Sequence, residues 1–247
     1  MQLWLCPLIA FLLGSIPFGL LIAKAKGIQI RQHGSGNIGA TNVLRVVGKK
    51  YGIACLLLDA LKGFVPVVLA INLIQIEGKP TGFFHLGALD PLALILPAAE
   101  QFKGQLLQVL TAFAAILGHN YSPWVGFKGG KGIATSAGVL LALMPAGVAL
   151  LVIVWVLVFA LSRYVSLASI VAAAALPLIT HIGARFHHLH NYKSQPTLWE
   201  AGAWNKPLFY FSLVIAILAI WKHRSNIQRL REGTEHRFTR KPKSADV

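Results

Sequence analysis

The sequence predicts an all-α integral membrane protein of about seven transmembrane helices, two of them short, with its functional loops gathered on the cytoplasmic face. Three observations carry that prediction. Apolar residues make up 55% of the 247-residue chain and charged residues only 13%, a composition suited to lipid. The apolar residues fall in long runs separated by short polar loops. The formal net charge is +15, and the cations concentrate in alternate loops, as the positive-inside rule requires of a multi-pass chain.

A span needs about 20 apolar residues to cross about 30 Å of hydrocarbon. Residues 3–23, 51–74, 146–161, 165–182 and 207–221 qualify or nearly qualify. The opening run has no basic leader and no cleavage site, so it reads as a retained helix. Residues 105–118 and 133–144 are shorter and suit tilted or partial spans packed against their neighbours. Residues 83–99 are apolar but interrupted by Asp90, Pro91 and Pro97, which predicts an interfacial or re-entrant segment. Pro145 separates two readings. One kinked helix over 133–161 would leave six spans and put the basic C-terminal segment outside. Two helices leave seven and put it inside, with Lys24, Arg31, Arg45, Lys49, Lys128, Lys131 and Arg163, so charge selects seven. Residues 1–238 then form a single transmembrane domain and 239–247 a disordered basic tail. Cys6 and Cys55 lie at opposite depths, which predicts neither a disulfide nor a zinc site.

Three loops carry the chemistry, and the seven-span topology places them together on the cytoplasmic side. The first holds Gly34, Ser35, Gly36, Asn37, Gly39, Thr41, Asn42 and Arg45; the second holds His119, Lys128, Gly129, Gly130, Lys131 and Gly132; the third holds His223, Arg224, Asn226 and Glu235. Gly34, Gly36 and Gly39 make a GxGxxG pattern, but no strand precedes it, which excludes a dinucleotide fold. Gly130-Lys131 is followed by Gly132 instead of Ser or Thr, which excludes a Walker loop. The physics of those motifs survives: glycine lets backbone N–H groups approach an anion, and a helix N-terminus beyond it adds its dipole. Ser166, at the next inner turn, is a further candidate for the same site.

Asp59 and Lys62 sit roughly 12–16 Å inside the second span and, three residues apart, share a helical face. They read as a structural brace. His85 and Asp90 share the spacing of a soluble-headed class of glycerolipid acyltransferases, but this topology puts them outside, and chance explains the match better. His187, His188 and His190 read as a solvated outer loop and not as metal ligands. The inner face is poor in carboxylates, so neither a Ser-His-Asp set nor a metal site is expected, and no cofactor. Cations in short loops between apolar helices point away from nucleic acid. A site rich in cations and donors but without an obvious nucleophile fits phosphate-bearing substrates and a donor already activated. A transporter of a small organic anion is the alternative, weakened by the absence of internal repeats.

The segments 34–42, 118–132 and 223–235 resemble the three signature motifs of the bacterial acyl-phosphate-dependent glycerol-3-phosphate acyltransferases, in order and spacing, over nearly the whole chain. Only the extended outer loops, 75–104 and 183–205, depart from the compact family pattern. The resemblance implies a multi-pass enzyme of the bacterial inner membrane, dependent on membrane lipid and on no obligate protein partner. It would transfer an acyl group from acyl phosphate to the 1-hydroxyl of glycerol 3-phosphate, giving lysophosphatidic acid and phosphate. An acyl phosphate is a mixed anhydride, so no covalent enzyme nucleophile is required. His223, Asn226, Ser35 and Lys128 are then the candidate catalytic residues. Gly34, Gly36, Asn37, Thr41, Asn42, Arg45, Gly129, Gly130, Lys131, Gly132, Ser166 and Arg224 are the candidate binding residues, supported by Asp59, Lys62, His119 and Glu235. The proton acceptor is either His223 or a substrate phosphate. The helix dipole at His223 favours a protonated imidazole, and so a phosphate-orienting role.

Overall fold

A computed structural model describes residues 4–191 and 205–238, with side chains described over 4–183 and 205–238. The fold is predominantly helical, and most helices begin and end where the apolar runs do. They are α1 (Leu5–Gly14), α2 (Phe18–Lys24), α3 (Ala40–Val46), α4 (Lys49–Leu73), α5 (Gln101–Asn120), α6 (Ile133–Leu143), α7 (Pro145–Ser162), α8 (Val165–Asn191), α9 (Lys206–Lys222) and α10 (Arg224–Arg231). Among the described residues four spans are long and apolar enough to cross a membrane: α1 with α2, α4, α7, and α8 as far as Gly183. Counting the α9–α10 pair, bent by 53°, as one span brings the number to five. Seven spans would also require α5, which carries glutamines and Lys103, and α6, only 11 residues long.

The expected first helix is broken at Ser15–Pro17. Pro17 has no N–H to continue the ladder, and the freed carbonyls find side-chain donors instead. Ser122 Oγ donates to Ser15 O at 2.6 Å, and Lys62 Nζ donates to Ile16 O at 2.7 Å. Trp124 Nε1 donates to Ser15 Oγ at 2.7 Å, so the break is tied to the loop after α5.

Pro145 opens α7 directly after Met144 ends α6 in a non-helical conformation (φ −151°, ψ 69°), so 133–161 is two helices. The chain is also not wholly α. Ile74–Ile76 (β1) pairs in parallel with Leu94–Leu96 (β2), and a 3-10 turn fills Gly87–Leu92, where an interfacial segment was expected. The fully buried Asn72 organises this return: its amide donates to Phe84 O at 2.9 Å and accepts from Leu86 N–H at 2.7 Å. The loop expected over 183–205 begins as helix, since α8 runs to Asn191. Residues 192–204 and the basic tail 239–247 lie outside the described residues.

Packing is closest where glycine lets backbones meet. A Cβ on Gly14 or Gly118 would stand 2.2–2.3 Å from a carbonyl oxygen of the facing helix, which locks α1 against α5. Gly63 and Gly138 do the same between α4 and α6. Helix α8 lies between α7 and α9, and α7 turns Leu150, Ile153, Val156 and Leu157 outward, as a lipid-facing helix does.

Candidate active site

A cavity of roughly 450 Å³ opens where the three glycine and cation loops converge. One end is polar, lined by Ser35, Asn37, Thr41, Arg45, Lys131, Ser166, His223, Asn226 and Glu235. The other runs between α6, α7, α8 and α9 and is apolar, lined by Leu140, Val148, Leu151, Val152, Trp155, Leu176 and Ile215 among small alanines. The cavity is therefore amphipathic, a shape that suits a molecule with a charged head and an apolar tail.

Glu235 is the hub of the polar end. Its Oε1 accepts from Ser166 Oγ at 2.6 Å and from Asn226 Nδ2 at 2.7 Å, and its Oε2 accepts from Arg229 Nε at 2.7 Å. Burial alone would raise this carboxyl, but the three hydrogen bonds and the Arg229 charge hold it below its ordinary value. Asn226 Oδ1 in turn takes a short hydrogen bond from Lys131 Nζ. One N–H of the Asn226 amide remains for a ligand. Burial pushes the Lys131 ammonium down to about 8; Glu235 opposes that shift, while Arg229 and Arg45 add to it.

His223 departs from its sequence expectation. Burial pushes its imidazole down to about 4, with Lys131 adding to the shift and the Ala219 carbonyl and Glu235 opposing it. Desolvation thus outweighs the helix dipole, which is worth at most about 2 kcal/mol. His223 Nδ1 lies 2.7 Å from Ala219 O, so the neutral ring donates there from Nδ1–H and keeps its lone pair on Nε2. The site holds an imidazole acceptor where an imidazolium was expected.

The glycines also act differently from expectation. The N–H groups of Gly129 and Gly130 donate to Asn120 O and His119 O at 3.2 and 3.1 Å, and Gly36 N–H donates to His33 O at 3.1 Å. They face the protein and not an anion. Their role is close approach: a Cβ on Gly130 would stand 2.1 Å from His119 Nε2, and one on Gly34 2.3 Å from Asn42 Oδ1. Asn42 is likewise engaged inside its loop, accepting from Ser35 N–H at 2.9 Å and donating to Asn37 O at 2.9 Å. The anion-friendly donors lie one step further on. Helix α6 starts at Gly132, its first returning bond runs from Ser136 N–H, and Ile133 and Ala134 line the cavity with their N–H groups open.

Lys128 and Arg224 stand apart from these. Neither lines the cavity. Lys128 is exposed, its carbonyl accepting from Arg31 at 2.6 Å, and the Arg224 guanidinium lies over the Trp221 ring at 4.4 Å. Beneath the polar end, Asp59 pairs with Lys62 at 2.7 Å and lies 3.6 Å from His119 Nδ1. Asp59 and His119 line the cavity, Lys62 does not, and the three together support the loop that packs on His119. His85 and Asp90 bond each other at 2.8 Å beyond the far end of α4, away from the cavity. The side chains of His187, His188 and His190 lie outside the described residues. Reading the sequence missed Arg229 as the partner of Glu235, although a carboxylate on a face so poor in them was itself a signal.

The profile of the family described as glycerol-3-phosphate acyltransferase matches residues 4–233. A glycerol-3-phosphate acyltransferase of Geobacter sulfurreducens is 42% identical over 231 residues, covering 93% of this chain and 94% of that one. That of Aquifex aeolicus is 39% identical over 229 residues, covering 93% and 95%. Among solved structures, the integral membrane glycerol 3-phosphate acyltransferase PlsY in its glycerol 3-phosphate form superposes with a TM-score of 0.72 at 36% identity, over 97% of this chain and 96% of that one. Its lysophosphatidic acid form gives 0.66 at the same identity.

Proposed function

The chain belongs to the glycerol-3-phosphate acyltransferase family, and from that premise we propose how its cavity works and which acyl donor it takes. It is an integral membrane enzyme that transfers an acyl group to glycerol 3-phosphate. The donor is an acyl phosphate, the acceptor oxygen is the 1-hydroxyl, and the site faces the cytoplasm of a bacterial inner membrane. One observation carries the donor: Arg45, Lys131 and the α6 N-terminus converge on the polar end of a cavity whose other end is apolar. That arrangement suits a phosphate head joined to an acyl tail, with a second phosphate close by. The orientation follows from charge, since the loops forming the polar end are also the basic ones.

In the reaction the glycerol hydroxyl oxygen attacks the acyl carbonyl carbon, and the bond from that carbon to the phosphate oxygen breaks. Neutral His223 accepts a hydrogen bond from the attacking hydroxyl at Nε2. An imidazole held near 4 is a weaker base than a phosphate monoester dianion, whose conjugate acid loses its proton near pH 6. It is weaker still than the phosphate trianion that departs, so the proton finishes on the departing phosphate as hydrogen phosphate. The free N–H of Asn226, with Ser35 on the same cavity lining, stabilises the developing oxyanion, an effect of roughly 3–4 kcal/mol for a well-placed donor.

The test is purified protein in vesicles, offered labelled glycerol 3-phosphate with either acyl phosphate or acyl-coenzyme A. Lysophosphatidic acid and one equivalent of inorganic phosphate should appear with the first donor only. Turnover with the thioester and none with acyl phosphate would overturn the donor assignment.

A further inference from the structure

Arg45 is held in an unusual way. It lines the cavity, yet among the described residues no hydrogen bond or ion pair takes its guanidinium, so all five N–H donors are left for a ligand. Glu235, already bonded to Arg229, acts on it only through space. What it touches is a ring: its Cζ lies 5.2 Å from the centre of Phe238. Phe238 is itself fixed on both sides. Its N–H donates to Arg163 O at 2.9 Å in the α7–α8 turn, and its ring meets the Phe159 ring of α7 edge-on at 5.7 Å. The chain reaches this position through a strap that leaves α10 at Gly233 (φ 70°) and is pinned midway by Glu235. The match to the family ends at residue 233, before Glu235 and Phe238.

We propose that Phe238 is a positioning residue of the substrate site, its ring holding the Arg45 guanidinium at the polar end while leaving every N–H for phosphate. A carboxylate partner would hold the arginine as firmly but would occupy the donors and cancel the charge. A ring face attracts the cation without either penalty. The proposal rests on the reading that Arg45 binds a substrate phosphate.

The experiment compares Phe238→Leu, Phe238→Tyr, Arg45→Met and the Phe238→Leu/Arg45→Met double variant. KM for glycerol 3-phosphate and for acyl phosphate is measured separately, with the melting temperature in detergent as a control. Whichever KM rises in Arg45→Met should rise about 3- to 30-fold in Phe238→Leu, the span of a partly desolvated cation–π contact, with kcat little changed. Phe238→Tyr keeps the ring and should behave as wild type. The double variant should be no worse than Arg45→Met alone. If Arg45→Met raises a KM and Phe238→Leu does not, or if the two effects add, the clamp is wrong and the arginine assignment stands. If Arg45→Met leaves both KM values unchanged, the assignment falls and the clamp with it.

Discussion

Lys131 should make the enzyme lose affinity for phosphate as the medium turns alkaline. Its ammonium is held down to about 8 in the empty cavity, chiefly by burial. Glycerol 3-phosphate is already a dianion above about pH 7, Arg45 stays charged throughout, and His223 titrates near 4. A fall in kcat/KM for glycerol 3-phosphate between pH 7 and 9 therefore reports Lys131. With the pKa near 8, about a tenth of the lysine is protonated at pH 9, so kcat/KM should drop roughly tenfold from its plateau. The limb in kcat should lie at higher pH, because a bound dianion restores the proton. The same shift is a stability statement. Between about 8 and 10.5 the unfolded chain binds more protons than the folded one, so stability rises with pH across that window. At neutral pH the protonated lysine then costs the empty fold about 3 kcal/mol, and Lys131→Met should melt higher than wild type while losing activity. The assay is initial rates in vesicles at short times, for wild type and Lys131→Arg, whose guanidinium does not titrate here. A flat wild-type profile to pH 9.5, or the same limb in Lys131→Arg, would refute the reasoning.

His223→Gln keeps a polar group of similar reach and should retain measurable turnover, while His223→Ala should lose about 10²-fold or more; equal losses in both, with a wild-type acid limb moved by the substitution, would make the imidazole the base. Gly130→Ala should nearly abolish activity, because the new methyl would stand 2.1 Å from His119 Nε2 and displace the Lys131 loop; normal turnover would mean the loop yields freely. Single cysteines at Lys49, Lys128 and Lys243, in a chain lacking Cys6 and Cys55, should resist impermeant thiol reagents applied to intact cells, and labelling of any would overturn the cytoplasmic orientation. Turnover should persist in excess EDTA, since Arg45, Lys131 and the α6 N-terminus meet the phosphates; loss on chelation, restored by Mg²⁺, would call for a metal in the mechanism.

What could be read from the sequence was what depends on local pattern. Apolar run length located the helices, Pro145 the α6–α7 break, and glycine beside cation the three converging loops. What could not be read depends on sums over the fold. Lys128 and Lys131 look equivalent in Lys-Gly-Gly-Lys, but the glycines seat the loop on His119 and Asn120 and leave only Lys131 inside. The dipole at His223 is visible in sequence because it belongs to one helix. The burial that reverses it comes from the surrounding helices together and has no local signature. The ladder between β1 and β2 is three residues long, and the segment joining the strands is held by the side chain of Asn72, which no periodicity reports.

The same distinction explains the electrostatics of the site. Glu235 is the carboxylate of the polar end, and it is already matched by Arg229. That leaves Arg45 and Lys131 as positive charges without a carboxylate of their own, one held by a ring and the other by a neutral amide. Neutral partners position a cation without cancelling it, so the empty cavity keeps a double positive charge in a desolvated place. Such a charge destabilises the fold until a dianion arrives, and a phosphate dianion has the matching charge. Binding strength at this site is therefore drawn from instability in the empty enzyme, and a substitution that relieves the one should weaken the other.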